Sequence, residues 1–136
     1  MSLEWSPAFS VGIEELDGDH AALMGMINEI ECLIGDGHAL RQAIERYSRQ
    51  MARHAAREVG VLERYGYEGA RDMAEAHGDL TASFDRFVRI SSSGNVPETI
   101  HAWLDYQSMW MKVLTTISMD YRKFFISRGI VPAVAP

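Results

Sequence analysis

Apolar residues recur every three to four positions in four long segments of this chain, which predicts amphipathic helices. The segments cover residues 17 to about 34, about 38 to 65, about 70 to 90, and 97 to about 125. Glycine or serine clusters separate them at 35–37, 66–69 and 91–95. No strand-like alternation competes with this pattern. Four helices joined by short loops favour an all-α, up-down-up-down four-helix bundle.

The two ends of the chain lack the helical pattern. Residues 1–16 carry Pro7, Gly12 and alternating apolar residues, and we expect an extended arm that lies against the bundle. Asp17 is a suitable N-cap for the first helix, and Asp19 provides an acidic first turn. Residues 126–136 form a tail after the fourth helix. The length of 136 residues suits a single domain, 1–136, with its helical body at 17–125.

Charge and cysteine content exclude several classes of protein. The net charge is −6 and no Lys/Arg block occurs, so we expect no nucleic-acid partner. No apolar run approaches the ~18 residues of a membrane span, and no signal-peptide pattern follows Met1. Cys32 is the only cysteine, which rules out an internal disulfide and favours a reducing, cytoplasmic environment. We interpret Cys32 as a small buried hydrophobe.

Three histidines fall on the apolar faces of predicted helices: His20 on the first, His54 on the second and His77 on the third. Glu58 lies four residues after His54, on the same face one turn along. An acid among apolar neighbours is costly to bury unless it is paired or binds a metal. Imidazole and carboxylate ligands on facing helices are the way in which helical bundles build metal sites. Mixed donors of this kind suit iron, manganese or zinc.

A plainer interpretation remains open from spacing alone. A single histidine in an apolar stripe is usually a hydrogen-bonded core residue, and a His-x-x-x-Glu pair is often a surface hydrogen bond. The combination of three inward histidines with an inward acid favours a metal site. No phosphate-binding loop, CxxC, serine-nucleophile or HExxH motif occurs, so we expect no conventional enzyme.

The same residues resemble the bacterial hemerythrins over nearly the whole chain. Residues 11–28 are similar to that family's VGI…LD…H…L…IN block, and 54–67 to its HFxxEE…YGY block. Its HxxxH block maps onto Met73 and His77, and its D…F…RG tail onto residues 120–129. The resemblance implies a four-helix bundle that binds two non-heme irons, with oxygen bound at one of them.

Five of the metal ligands that the resemblance implies are present: His20, His54, Glu58, His77 and Asp120. Two others differ, because Met73 and Thr115 stand where the family has histidine. The aromatic residue and second acid of HFxxEE are replaced by Ala55 and Val59. The iron that binds oxygen in the family keeps all its protein ligands here, whereas the other loses two imidazoles.

Three hypotheses follow. The chain binds two irons with an incomplete ligand set and binds oxygen or another diatomic molecule. Or it binds one metal through His20, His54 and Glu58, with or without Asp120, and senses oxygen or stores iron. Alternatively it has lost the metal and acts as an interaction or signalling module with a protein partner. His38 is expected to be solvated. A shifted register of the fourth helix would bring His101 towards the site, but it would leave Asp120 without a role.

Overall fold

The computed structural model describes residues 2–132 and shows the predicted helical bundle. Three helices correspond to the first three predicted segments: α1 (Glu14–Leu33), α2 (Gly37–Arg64) and α3 (Ala70–Ser91). The fourth segment is one continuous helical rod made of α4 (Val96–Lys112), a π-helical turn (Val113–Ile117) and α5 (Ser118–Ser127). Asp36 and Asn95 cap α2 and α4 by accepting hydrogen bonds from backbone N–H groups. Within residues 2–132, no helix is both long and apolar enough to cross a membrane.

Asp17 is not the N-cap that we expected, because α1 begins three residues earlier, at Glu14. Its carboxylate instead accepts hydrogen bonds from the backbone N–H of Val11 at 2.7 Å and from the hydroxyl of Ser10 at 2.6 Å. A third bond comes from the N–H of Gly12 at 3.3 Å. Asp17 therefore holds the end of the N-terminal arm against the first turn of α1.

The rest of the arm lies against the bundle, as expected, with one short 3₁₀ helix at Pro7–Phe9. The side chain of Asn28 donates to the backbone oxygen of Leu3 at 2.7 Å and accepts from its N–H at 2.8 Å. Trp5 and Phe9 are partly buried and pack against the apolar core. The arm thus covers α1 rather than continuing it.

The interior contains two apolar clusters at different heights along the bundle. One is formed by the middle of α1, the start of α2, the second half of α3 and α4, and includes Leu23, Tyr47, Phe84 and Trp103. The other is formed by the opposite ends of the helices, and includes Leu16, Leu62, Met73 and Phe125. Because neighbouring helices run antiparallel, each helix enters both clusters.

Cys32 is exposed, which corrects its interpretation as a buried residue. It lies two positions after the buried Ile30, and two positions on a helix correspond to a rotation of about 200°. The side chain of Cys32 therefore stands on the face opposite the apolar stripe of α1.

Candidate metal centre

A polar layer separates the two apolar clusters. It contains His20 from α1, His54 and Glu58 from α2, His77 from α3 and Ser118 from the start of α5, all of them buried. Each residue lies on the apolar face of its helix, in the turn that is at the middle of the bundle. The four titratable residues that we predicted to face the interior on the first three helices thus meet in one place.

The carboxylate of Glu58 is the centre of this layer, and its side chain is only 2% exposed. Its Oε1 lies 2.8 Å from Nε2 of His77 and 3.3 Å from Nε2 of His54. Its Oε2 lies 3.1 Å from Nε2 of His20 and accepts a hydrogen bond of 2.6 Å from the hydroxyl of Tyr121. Donors from four helical segments therefore surround a single buried acid.

Three of these side chains are spaced to bind a metal ion. A ring nitrogen of His20, a ring nitrogen of His54 and a carboxylate oxygen of Glu58 all lie within 4.8 Å of one another. Ligands that each stand about 2.0 to 2.2 Å from a shared metal are themselves about 3 to 3.5 Å apart. Each histidine has one Glu58 oxygen in that range, with Oε2 3.1 Å from His20 and Oε1 3.3 Å from His54. This buried cluster can hold a metal ion.

Asp19 supports His54 from the other side of its ring. Its carboxylate lies 3.0 Å from Nδ1 of His54 and 3.5 Å from the guanidinium of Arg57. An acceptor at Nδ1 fixes the proton there and directs the Nε2 lone pair towards a metal, the usual arrangement around histidine ligands. Among the described residues, Nδ1 of His20 has no such partner.

The surroundings of Glu58 favour its charged form. Burial alone would raise the pKa of Glu58, but hydrogen bonds from His20, His54 and His77 hold that pKa well below its ordinary value. Burial also disfavours the charged form of His54 and so would lower its pKa. The contacts of His54 with Glu58 and Asp19 outweigh burial and raise that pKa above 6.5. Without a metal, a charged His54 can therefore neutralise the buried acid.

The ligands that the resemblance implies on the other side of Glu58 do not assemble. Met73 is fully buried in an apolar cluster, and the exposed hydroxyl of Thr115 donates to the backbone oxygen of Met111 at 2.8 Å. Asp120 is exposed and lies outside the group of metal-binding spacing. Of the ligands that the resemblance implies for the second iron, His77 and Glu58 are the two that contact each other, at 2.8 Å.

The π-helical turn explains the position of Asp120. A π turn inserts one extra residue into an α-helix. Each residue after the turn therefore lies, around the helix axis, where the residue before it would lie in a regular α-helix. Tyr121 therefore stands where a regular helix would place residue 120, and it is Tyr121 that contacts Glu58. Tyr121 thus takes the place beside Glu58 that the resemblance implies for Asp120.

Free space at the centre is small. A cavity of about 10 Å³ adjoins Glu58 and the three histidines, and apolar side chains that include Met51 and Leu114 line it. This volume is close to the smallest that accepts one water molecule. His101, whose side chain is 76% exposed, is far from this layer, so the shifted register of the fourth helix is not adopted. His38 is also exposed, as expected.

No protein-family model, no curated protein and no solved structure matches this chain.

Proposed function

We propose that the protein binds a single non-heme iron in the polar layer and uses it to bind or sense oxygen or another diatomic molecule, in the manner of a hemerythrin-like protein. The observation that carries the proposal is the convergence of His20, His54 and Glu58 within 4.8 Å of one another in a buried site. Two imidazoles and one carboxylate form the donor set that leaves positions open on ferrous iron. Iron bound there would supply such a position for a small ligand.

One iron is favoured over two because the donors are unevenly distributed. Beyond the three converging ligands, His77 is the one further residue of the implied ligand set that is buried and contacts Glu58. The side chains of Thr115 and Asp120 are exposed, and the thioether of Met73 is a poor ligand for ferric iron. His77 and Tyr121 are better suited to hold the Glu58 carboxylate in place than to build a second metal position.

The remaining residues restrict what reaches the site. The adjoining cavity has a volume of only about 10 Å³ and is lined by Leu80, Trp110 and Leu114, which favours ligands of a few atoms. Asp19 keeps the ring of His54 oriented through Nδ1. The small volume and the burial of the three ligands suit a site that binds a diatomic gas without turning over a larger substrate.

Elemental analysis of protein purified from iron-supplemented cells tests the proposal. We expect about one iron per chain, and loss of that iron in Glu58→Gln and His20→Ala. His101→Ala, which changes an exposed histidine, is the matched control and should retain the metal. An absorption band that appears on exposure of the reduced protein to oxygen or nitric oxide would support ligand binding. Absent iron, or iron retained by Glu58→Gln, would contradict the proposal.

One observation favours the second candidate, a metal-free interaction or signalling module. Glu58 already has contacts from His20, His54, His77 and Tyr121, which together satisfy its carboxylate without an ion. Under this alternative, the protein contains no metal after growth in iron, and added ferrous iron does not raise its melting temperature.

A further inference from the structure

A second cavity opens between α2 and α3 and ends beside the polar layer. Its volume is about 200 Å³, against about 10 Å³ at the metal-binding cluster. The two spaces share Met51, His77 and Leu80 as a common wall. A cavity of about 150 Å³ lined by apolar side chains is enough for a benzene ring. The larger space therefore has room for one ring and a small substituent.

Small residues on α2 create this space. Ser48, Ala52 and Ala55 line its side, where longer side chains would reach across to α3. Thr81 and Asp85 line the α3 side of the mouth. Asp85 is the one acid in the lining, and its negative charge disfavours anions.

The inner wall is aromatic. The ring centroids of Tyr47 and Phe84 are 5.1 Å apart, and those of Phe84 and Tyr106 are also 5.1 Å apart. Rings held at such separations offer both edges and faces to a further ring. All three side chains are buried, so their positions are set by the core rather than by a ligand.

The tyrosine pair in this wall has one O–H proton more than its mutual hydrogen bond uses. The hydroxyls of Tyr47 and Tyr106 share one hydrogen bond of 2.5 Å, in which either oxygen can be the donor, so the second proton of the pair is left to donate elsewhere. The sulfur of Met51 lies 4.0 Å from the hydroxyl of Tyr47, and a thioether is a weak acceptor. The buried pair can therefore donate to a better acceptor through one of its two hydroxyls. Burial raises the pKa of Tyr47, as does the neighbouring Tyr106, which keeps Tyr47 protonated.

We propose that the cavity between α2 and α3 binds a small, uncharged, single-ring aromatic molecule that carries one oxygen acceptor. The ring packs against Phe84 and the two tyrosines, and the oxygen accepts the spare proton of the Tyr47–Tyr106 pair. This site does not require the metal, although its occupant lies against His77, which contacts Glu58. Binding would therefore place an organic molecule next to the polar layer.

Fluorine NMR with 4-fluorophenol tests the proposal, using the protein as purified and again after treatment with a chelator. We expect saturable binding in both samples, because the site is formed by the chain alone. 4-Fluorotoluene has the same shape without the acceptor and should bind several-fold more weakly. 4-Fluorobenzoate should bind more weakly still because of its charge. Binding that disappears on chelation would mean that the phenol is a ligand of the metal, which contradicts this proposal but not the proposed iron site.

Ala55→Phe should fill the cavity and weaken 4-fluorophenol binding by more than about tenfold. Ala56→Phe is the matched control, since Ala56 is exposed on the same helix and is not part of the lining. If Ala55→Phe fails to fold, Ala52→Phe, at the rim of the cavity, serves the same purpose. Unchanged affinity in both cavity variants, no saturable binding to the wild type, or equal affinity for the benzoate would overturn the proposal.

Discussion

The hydroxyl of Tyr121 donates a hydrogen bond of 2.6 Å to Oε2 of Glu58, across a sequence separation of 63 residues. The same oxygen faces His20, so Tyr121 helps to set the orientation in which the carboxylate meets that imidazole. Both side chains are buried, and water cannot easily replace either partner.

We expect Tyr121→Phe to weaken metal binding by about tenfold, as losses of an orienting hydrogen bond usually do. The metal-free protein should lose about 2 kcal/mol of unfolding free energy, because the lost bond has a charged acceptor. Competition with a coloured chelator and urea unfolding measure the two effects. Tyr65→Phe is the control, since Tyr65 is 41% exposed and contacts Phe125 through its ring. Equal effects of the two variants would contradict the orienting role.

Asp19→Asn should weaken metal binding by about 10- to 100-fold without removing a ligand. The substitution takes away the negative acceptor that lies 3.0 Å from Nδ1 of His54. The pKa of His54 should also fall, because Asp19 is one of the groups that raise it. Metal affinity and a histidine titration by NMR test both points. Asp79→Asn, at an exposed position on α3, should change neither quantity.

The register of the fourth helical rod can be tested by adding a ligand. Leu114 lines the central cavity, whereas Thr115 is exposed. We expect Leu114→His to tighten metal binding and Thr115→His to leave it unchanged. The reverse result would show that the π turn does not set the register described above. Thermal unfolding of both variants without metal identifies any simple loss of folding.

Buried tyrosines should limit stability in alkali. Burial raises the pKa of Tyr47 and Tyr106 above 10.0, whereas both ionise near 10 in the unfolded chain. Above that pH the unfolded state has lost protons that the folded state keeps, so the unfolding free energy falls as pH rises and is unaffected below it. Urea unfolding between pH 8 and 11 should show the decline. In Tyr47→Phe the decline should be smaller; an unchanged slope would contradict its assignment to this pair.

Asp17→Ala should release the N-terminal arm. Three hydrogen bonds to its carboxylate are lost, two of them at 2.7 Å or less. We expect a loss of about 2 kcal/mol in unfolding free energy, discounted because the site is partly exposed. Limited proteolysis should then cleave within residues 2–12 first. A variant as stable and as resistant as the wild type would show that the arm is held by its apolar contacts.

Periodicity was sufficient to predict the helices and most of the polar layer. His20, His54, Glu58 and His77 could be identified because a titratable side chain in an apolar stripe is conspicuous. Asp19 was not, because an acid in the first turn of a helix is ordinary and its contact with His54 depends on how α1 and α2 pack.

The fourth helix shows where a regular pattern is insufficient. The residue types of Val113–Ile117 do not indicate a π turn. A prediction that assumes a regular α-helix therefore assigns every later residue an angular position that is wrong by one residue. The resemblance implied Asp120 as a ligand, whereas in the structure the residue that reaches Glu58 is Tyr121.

α1, α2, α3 and the rod formed by α4, the π turn and α5 each pass through the polar layer once and take part in both apolar clusters. Separating the chain at any of the three loops between these four segments would consequently take one or two walls from both clusters, and would never leave one of them whole. Neither end of the bundle can therefore fold alone, or be grafted onto another protein, without the other end.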